Sequence, residues 1–274
     1  MKYLVLGSSG QIGGHFCSYV GKIGGHSAIQ FDVTHDPAED LRNNAALLRE
    51  KMKQADFVMF LAFDVGGALY LQQYQTTFDF ISNNVKLMNN TFDALRDLQK
   101  PFIFASSQMA NMLQSPYGIL KAVGEYYTRA LNGIMVKFWN VYGVEHDPKK
   151  FHVMTDLIKK ARRHGKIEMI SSGQEERQFL YAEDCSDCLH KLAQQYQAIP
   201  RDKNLHITNF EWNKIIEVAE IIGRQMNVPV IPGPHTKDPT QLFQKNEPDP
   251  FILQYWKPST SLEEGIRRVI AETP

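Results

Sequence analysis

Apolar residues along the chain fall into short continuous runs separated by amphipathic stretches. The runs Lys2–Leu6, Ser27–Asp32, Asp56–Ala62, Pro101–Ala105, Ile134–Asn140 and Leu205–Thr208 are rich in Val, Ile, Leu or Phe and do not alternate with polar residues. Such runs predict strands buried on both faces, as in a parallel sheet covered by helices. The stretches between them carry a helical period. Phe16, Tyr19, Val20 and Ile23 recur at that spacing after Gly13. Leu120, Val123, Tyr127 and Leu131 do so after Ser115, a predicted N-cap, and Pro116, a first-turn residue. Strand–helix alternation of this kind predicts an α/β chain with a doubly wound parallel sheet.

The final third changes character. Pro200, Pro229, Pro232, Pro234, Pro239, Pro248, Pro250 and Pro258 divide it into short pieces. One helix is predicted through Ile215, Ala219, Ile222 and Met226, and a second from Ser261 to Ile270. This part is expected to form a smaller C-terminal substrate domain closing over the sheet edge. Residues 1–143 with about 176–209 are expected to form the nucleotide domain, and about 144–175 with 210–274 the substrate-binding domain. No internal repeat or low-complexity segment interrupts this division.

Composition narrows the function classes. The 274 residues are 43% hydrophobic and 22% charged, with 30 Lys plus Arg against 30 Asp plus Glu. That balance predicts neither a nucleic-acid partner nor an anionic membrane surface. No apolar run reaches the roughly 20 residues of a membrane-spanning helix. The run at Met1–Gly7 is expected to be a buried strand rather than a signal peptide. Cys17, Cys185 and Cys188 are too few for a disulfide framework and predict a reducing, cytoplasmic setting.

Candidate chemistry begins where the first strand ends. Gly7-Ser8-Ser9-Gly10-Gln11-Ile12-Gly13 is a G-x-x-G-x-x-G loop placed directly before a helix. Glycines let backbone turn tightly and approach a pyrophosphate, and the helix N-terminus offers free N–H groups and positive dipole to that anion. Asp32 follows about 20 residues later at the end of the second strand, where an acid accepts both ribose hydroxyls of adenosine. It repels a 2′-phosphate, and neither Ser8 nor Ser9 supplies an arginine to hold one, so NAD is expected in preference to NADP. Asp56 and Leu61-Ala62-Phe63 are taken to end the third strand, with backbone lining adenine and ribose.

The second constellation is Tyr117-Gly118-Ile119-Leu120-Lys121, the chain's Y-x-x-x-K. Positions i and i+4 share a helix face, so phenol and ammonium are expected in one site. A neighbouring cation favours phenolate, which suits a general acid/base. Ser106 and Ser107 are predicted at the carboxyl end of the preceding strand, where open α/β sheets bind ligands. A hydroxyl there is expected to bond the substrate oxygen whose proton Tyr117 moves.

Taken in order, the glycine loop, Asp32, Ala105-Ser106-Ser107, Tyr117…Lys121, Phe138-Trp139-Asn140-Val141-Tyr142-Gly143 and Arg177-Gln178-Phe179-Leu180-Tyr181-Ala182-Glu183-Asp184 resemble the extended short-chain dehydrogenases/reductases. More narrowly, they resemble the NDP-sugar epimerase/dehydratase group. The resemblance covers nearly the whole chain and implies a Rossmann sheet. It also implies a catalytic triad of Ser107, Tyr117 and Lys121. Cofactor contacts fall on Gly7, Gly10, Gln11, Ile12, Gly13, Asp32, Leu61, Ala62 and Phe63, with Lys121 on the nicotinamide ribose beside Tyr117. Ser107, Gln108, Asn140, His152 and Arg177 are the substrate-side candidates; Asn140 is implied to contact the nucleotide sugar and Arg177 its nucleotide or diphosphate. No metal is implied. Family members pair the equivalents of helices Asn83–Leu98 and Tyr117–Leu131 across a two-fold, which implies a homodimer.

Val65-Gly66-Gly67-Ala68 and His152-Val153 resemble GDP-fucose synthases and GDP-mannose 3,5-epimerases. Gln108 stands where those enzymes carry a cysteine base, and an amide takes no carbon-bound proton, so 3,5-epimerisation is not expected. Gln108-Met109 also replaces the Asp-Glu pair of the dehydratases, and Ala110-Asn111-Met112 lacks the tyrosine usual in that loop. What remains is redox chemistry at a sugar carbon, C4 by resemblance, with epimerase, dehydrogenase and 4-keto-sugar reductase all open. A cofactor-binding regulator without chemistry, and a reductase of a small carbonyl, are the other readings. Cys185-Ser186-Asp187-Cys188 is read as core, Lys159–Gly165 as a helix C-terminus, and Tyr70, Tyr74, Phe78 and Phe80 as packing.

Overall fold

A computed structural model describes residues 1–145, 147, 150–235 and 246–273. In chain order the elements are β1 (Lys2–Leu6), α1 (Gln11–Ile23), β2 (Ser27–Phe31), α2 (Ala45–Lys53), β3 (Phe57–Phe60), α3 (Ala68–Tyr74) and α4 (Phe78–Leu98). They continue with β4 (Phe102–Ser107), α5 (Pro116–Ala130), β5 (Ile134–Phe138), β6 (Asn140–Tyr142), α6 (Val153–His164), β7 (Ile167–Glu168), β8 (Glu176–Arg177), β9 (Phe179–Tyr181) and α7 (Ala182–Gln194). The last are β10 (Leu205–Ile207), β11 (Asn213–Lys214), α8 (Ile215–Met226), β12 (Val230–Ile231) and α9 (Leu262–Glu272).

The six predicted runs form one parallel sheet, in spatial order β2-β1-β3-β4-β5-β10. Chain order reverses between β1 and β3, which opens a crevice at their carboxyl ends. Leu6 lies opposite both Phe31 and Phe60, so the three residues that follow, Gly7, Asp32 and Leu61, leave the sheet at one level. Strand residues alternate between two cores. Tyr3 and Val5 pack with Phe16, Val20, Cys185, Cys188 and Leu189 under α1 and α7. Leu4 and Leu6 pack with Leu48, Met52, Phe92 and Leu120 under α2, α4 and α5. Each such fully buried side chain contributes about 1.5–3 kcal/mol through removal from water. These two faces are why the strands read as unbroken apolar runs.

A third core joins Tyr142, Met154, Ile158, Phe179, Val218, Ile222, Ile266 and Val269. It is built from α6, α8, α9 and the β6–β9 ladder. Val141 and Leu180 of that ladder point into the sheet's core while Tyr142, Phe179 and Tyr181 point into this one, so the ladder is a seam. The segment near Ile252 and Trp256 packs back on the sheet's core.

Four expectations differ in detail. The run Ile134–Asn140 is not one strand: β5 stops at Phe138, and β6 leaves the large sheet to pair with β9. Trp139 lies between them, its backbone N–H donating to Ile207 O at 3.3 Å and its indole N–H reaching His206 Nδ1 at 3.0 Å. The apolar run continues through this change of partner because burial continues. Asp56 directly precedes β3 instead of ending it; its carboxylate accepts the Lys2 backbone N–H at 2.7 Å, at the sheet end opposite the crevice. Of the expected packing cluster, Phe80 is buried but Phe78, at the first position of α4, is 82% exposed. On α1 and α5, Ile23, Val123 and Tyr127 keep the helical period yet are exposed. Ser115 and Pro116 cap α5 as expected, the Ser115 hydroxyl accepting from the Gly118 backbone. No helix among the described residues is long and apolar enough to cross a membrane.

Candidate active site

The predicted residues fall into three groups. The first is the glycine loop. Gly7 turns at φ +85°, in the left-handed region that favours glycine, and its N–H donates to Phe31 O at 3.0 Å. A Cβ on Gly13 would sit 2.1 Å from Gly7 O, and one on Gly7 would sit 2.7 Å from the Ala62 backbone. Those approaches pull α1 tight against the end of β1. No side chain caps α1, so its first N–H groups stay open to an anion. The Ser8 hydroxyl beside them is buried and has no hydrogen-bond partner. Such an orphan, next to an uncapped helix start, fits a dinucleotide pyrophosphate. Gln11 and Ile12 open the helix, and the Gln11 amide donates to Val141 O at 3.2 Å, tying the loop to β6.

Asp32 folds toward this loop. It accepts the Ser9 N–H at 3.0 Å on one oxygen and both the N–H (2.9 Å) and hydroxyl (2.7 Å) of Thr34 on the other. Its own N–H donates to the buried Glu39 at 2.9 Å. Leu61 and Ala62 border the loop from the β3 side, through Leu61 N–H to Leu6 O and the Ala62 contact with Gly7. The cofactor candidates thus converge at the reversal in strand order.

The second group is Ser107, Tyr117 and Lys121. Ser107 is the last residue of β4, and its Oγ accepts the Met109 N–H at 3.2 Å. Tyr117 and Lys121 lie one turn apart on α5, both buried. Burial pushes the Tyr117 phenol up against a smaller lowering effect of the Ser107 hydroxyl, with the balance at about 12. Burial drives the Lys121 ammonium down to about 7, against the attraction of Glu125. Lys121 Nζ donates to Ala105 O at 2.6 Å and stands 3.7 Å from the centre of the Phe63 ring. Phe63 also packs edge-on against Tyr117, with ring centres 5.7 Å apart. The sequence suggested only Phe63 backbone here; its ring covering Lys121 was not legible.

The third group, on the substrate side, is more scattered. Asn140 opens β6 and donates from Nδ2 to Gln178 O at 3.1 Å, which brings it beside Arg177 on β8. Arg177 donates to Glu176 O at 2.8 Å, and β8 pairs with β11. His152 precedes α6 and is held by Glu145, backbone N–H to Oε2 at 3.0 Å and Nδ1 to Oε1 at 2.6 Å. The Glu145 side chain is largely shielded from water, which by itself raises a carboxyl, yet its bonds with His152 hold it below the usual range. A Cβ on Gly67 would lie 2.5 Å from Phe151 O, so the Gly66–Gly67 turn and His152 are brought together. Gln108 lies next to Ser107, and its carbonyl and side-chain oxygens accept from Asn246 at 2.9 and 3.2 Å. Glu145 and Asn246 carry no spacing signal that could have marked them.

Comparisons with known proteins bear on the family and the fold. Residues 3–208 match the NAD dependent epimerase/dehydratase family. The uncharacterized UDP-glucose epimerase YtcB of Bacillus subtilis (strain 168) is 24% identical over 99% of this chain and 97% of its own. A GDP-L-fucose synthase of Sinorhizobium fredii is 31% identical over 47% of this chain and 43% of its own. Among solved structures, UDP-glucuronic acid 4-epimerase from Bacillus cereus, in complex with UDP-glucuronic acid and NAD, superposes with a TM-score of 0.79 at 19% identity, over 99% of this chain and 98% of that one. Family match, strand order and the crevice with its glycine loop lead to one conclusion: the chain belongs to the NAD dependent epimerase/dehydratase family.

Proposed function

We propose that this chain is an NAD-using nucleotide-sugar enzyme carrying out redox chemistry at a sugar carbon, C4 by analogy, as an epimerase or a dehydrogenase. The observation that carries the reading is the buried trio in which Ser107 closes β4, Tyr117 and Lys121 lie one helical turn apart on α5, and Ser107 draws the Tyr117 phenol downward against burial. NAD bound in the crevice supplies a hydride acceptor. Tyr117 would remove or return the sugar hydroxyl proton, Ser107 would hold the same oxygen, and Lys121 would bond the nicotinamide ribose. With NAD bound, the Lys121 charge and the positive nicotinamide ring would together lower the phenol toward working pH. Gly7, Gly10 and Gly13 leave room for the pyrophosphate, and Asp32 favours NAD over NADP through the adenosine ribose. On the substrate side, Asn140 and Arg177 face the nucleotide diphosphate end of the sugar, and His152 with Gln108 borders the sugar itself. The lobe around α6, α8 and α9, residues of about 144–175 and 210–274, acts as the substrate domain.

The relatives named above, a UDP-glucose epimerase and a UDP-glucuronic acid 4-epimerase that binds NAD, support this reading. An apolar strip on α4 and α5, including Phe78, Ile81, Val85, Val123 and Tyr127, is exposed and fits a homodimer across these helices. The unpaired thiols of Cys17, Cys185 and Cys188 fit a reducing, cytoplasmic setting.

The test is Tyr117→Phe. The variant is expected to bind NAD like the parent and to lose turnover about 10²–10⁴-fold. Unchanged biological output in that variant refutes the enzyme reading and leaves a cofactor-binding regulator. Non-dialysable NAD in the purified protein supports the epimerase; NADPH-dependent turnover without it supports the 4-keto-sugar reductase. Thermal shifts with GDP, UDP, dTDP and CDP identify the base, and no shift with any of them rejects a nucleotide-sugar substrate. A monomer by light scattering at micromolar concentration rejects the dimer.

A further inference from the structure

Beneath Ser107, Tyr117 and Lys121 lies a buried acid that the scheme above does not use. Glu125 follows Lys121 by one turn on α5 and is 5% exposed. Its carboxylate accepts a 2.5 Å hydrogen bond from the hydroxyl of Ser106, the neighbour of Ser107 on β4. It pairs with Lys137 Nζ at 3.2 Å, and Lys137 lies directly opposite Ser106 in the β4–β5 register. Arg129, one further turn along α5, approaches its other oxygen at 3.6 Å. A buried carboxylate is costly unless it is both paired and hydrogen-bonded, and Glu125 is both. The cluster joins α5, β4 and β5 at the level of the chemistry.

Its effect on Lys121 follows from what surrounds that ammonium. Ala105 O and the rings of Phe63, Phe104 and Tyr117 meet Lys121 Nζ, and none of them carries a full charge. Glu125 supplies the negative charge that acts on it, with Lys137 and Arg129 attached to that carboxylate from the side. Burial alone moves a lysine toward its neutral form. A neutral Lys121 offers Tyr117 no cation, and the phenol then keeps its proton.

We propose that Glu125 is a positioning residue of the redox site: its charge opposes the burial that strips Lys121 of its proton, and its bond to Ser106 fixes the strand end that presents Ser107. The inference rests on the reading that Lys121 serves Tyr117. It differs from a simple structural pairing with Lys137, because a structural pairing leaves the titration of Lys121 unchanged.

The experiment reads that titration directly. The full chain is labelled with [¹³Cε]lysine, and the Lys121 resonance is identified by its loss in Lys121→Met. Its midpoint is followed in the parent, Glu125→Gln, Glu125→Asp and the double variant Glu125→Gln/Lys137→Met. The expected result is a fall of at least about one pH unit in Glu125→Gln, a tenfold loss of proton affinity, with partial recovery in Glu125→Asp. Glu125→Gln leaves Lys137 a half-buried unpaired cation and can fail to fold. The double variant leaves no such charge and carries the same measurement, with the Lys121 midpoint still below the parent. A midpoint within about 0.3 unit of the parent in either folded variant overturns the proposal. Turnover that survives Tyr117→Phe sinks the reading of Tyr117 as the acid/base instead, and leaves this titration unaffected, so the two failures are distinguishable.

Discussion

The two halves of the candidate site are built differently. On the redox side, Ser107, Tyr117 and Lys121 are all buried, and they hang on one strand end and one helix. On the substrate side, Asn140, His152 and Arg177 are partly exposed and sit on two- and three-residue strands or at a helix start. Burial shifts both titrating groups of the first half, the phenol upward and the ammonium downward. In the second half His152 shares its bonds with Glu145, and Arg177 leans on backbone. A proton relay needs fixed geometry and low dielectric, so it belongs on long elements in a core. Recognition of a variable substrate tolerates short ladders and half-wet side chains. The fold therefore holds the redox half more rigidly than the substrate half.

That contrast sets an order of expected effects. The largest is Lys121→Met, expected to lower kcat about 10²–10⁴-fold in steady-state assays, whereas substrate-side variants act mainly on KM. An equal loss of kcat from a substrate-side variant would erase the distinction. Next is Gly13→Ala. Its Cβ would stand 2.1 Å from Gly7 O, so either α1 or the loop must move. A loss of about 1–3 kcal/mol in denaturant unfolding is expected, together with weakened NAD binding by calorimetry.

Third is a pH effect that only the buried half should show. Lys121 titrates near 7 in the folded chain and near 10.5 unfolded. The unfolded state therefore holds the extra proton between those values, and stability rises with pH across that window, by at most about 1.4 kcal/mol per unit. Below pH 7 both states are protonated and the contribution is flat. Unfolding curves of the parent measured against Lys121→Met should diverge from pH 7 upward in favour of the parent. Parallel curves over that range would contradict a buried, proton-shedding lysine. The smallest effect is expected of Arg177→Ala, a rise in KM of about tenfold with kcat preserved, as for loss of one charge-assisted contact worth about 1.5 kcal/mol.

Much of the buried half was legible in sequence. The unbroken apolar runs located the strands of the large sheet because burial on both faces leaves no polar position in them. Tyr117 and Lys121 were legible because a helix puts i and i+4 on one face, and Ser115-Pro116 marked where that helix starts. Gly7, Gly13 and Asp32 were legible because strand, loop and helix follow one another without a gap. Other features were not. The pairing of Glu125 with Ser106 and Lys137 spans three elements, and nothing in Lys121-Ala122-Val123-Gly124-Glu125 says that its acid turns inward. The Phe63 ring over Lys121, the Glu145 clamp on His152 and the departure of β6 at Trp139 share that character. Asp56 was misplaced because an acid flanking an apolar run does not reveal which end of the sheet it borders.

By itself the sequence determined what depends on neighbours along the chain: strand and helix periods, the glycine turn, the phenol and ammonium one turn apart. Tertiary structure alone decided which buried charges meet, which ring covers the ammonium and where a strand changes sheets. The physical reason is range. Backbone geometry and periodicity act over a few residues, whereas desolvation and Coulomb pairing depend on distances in space that only the folded chain sets.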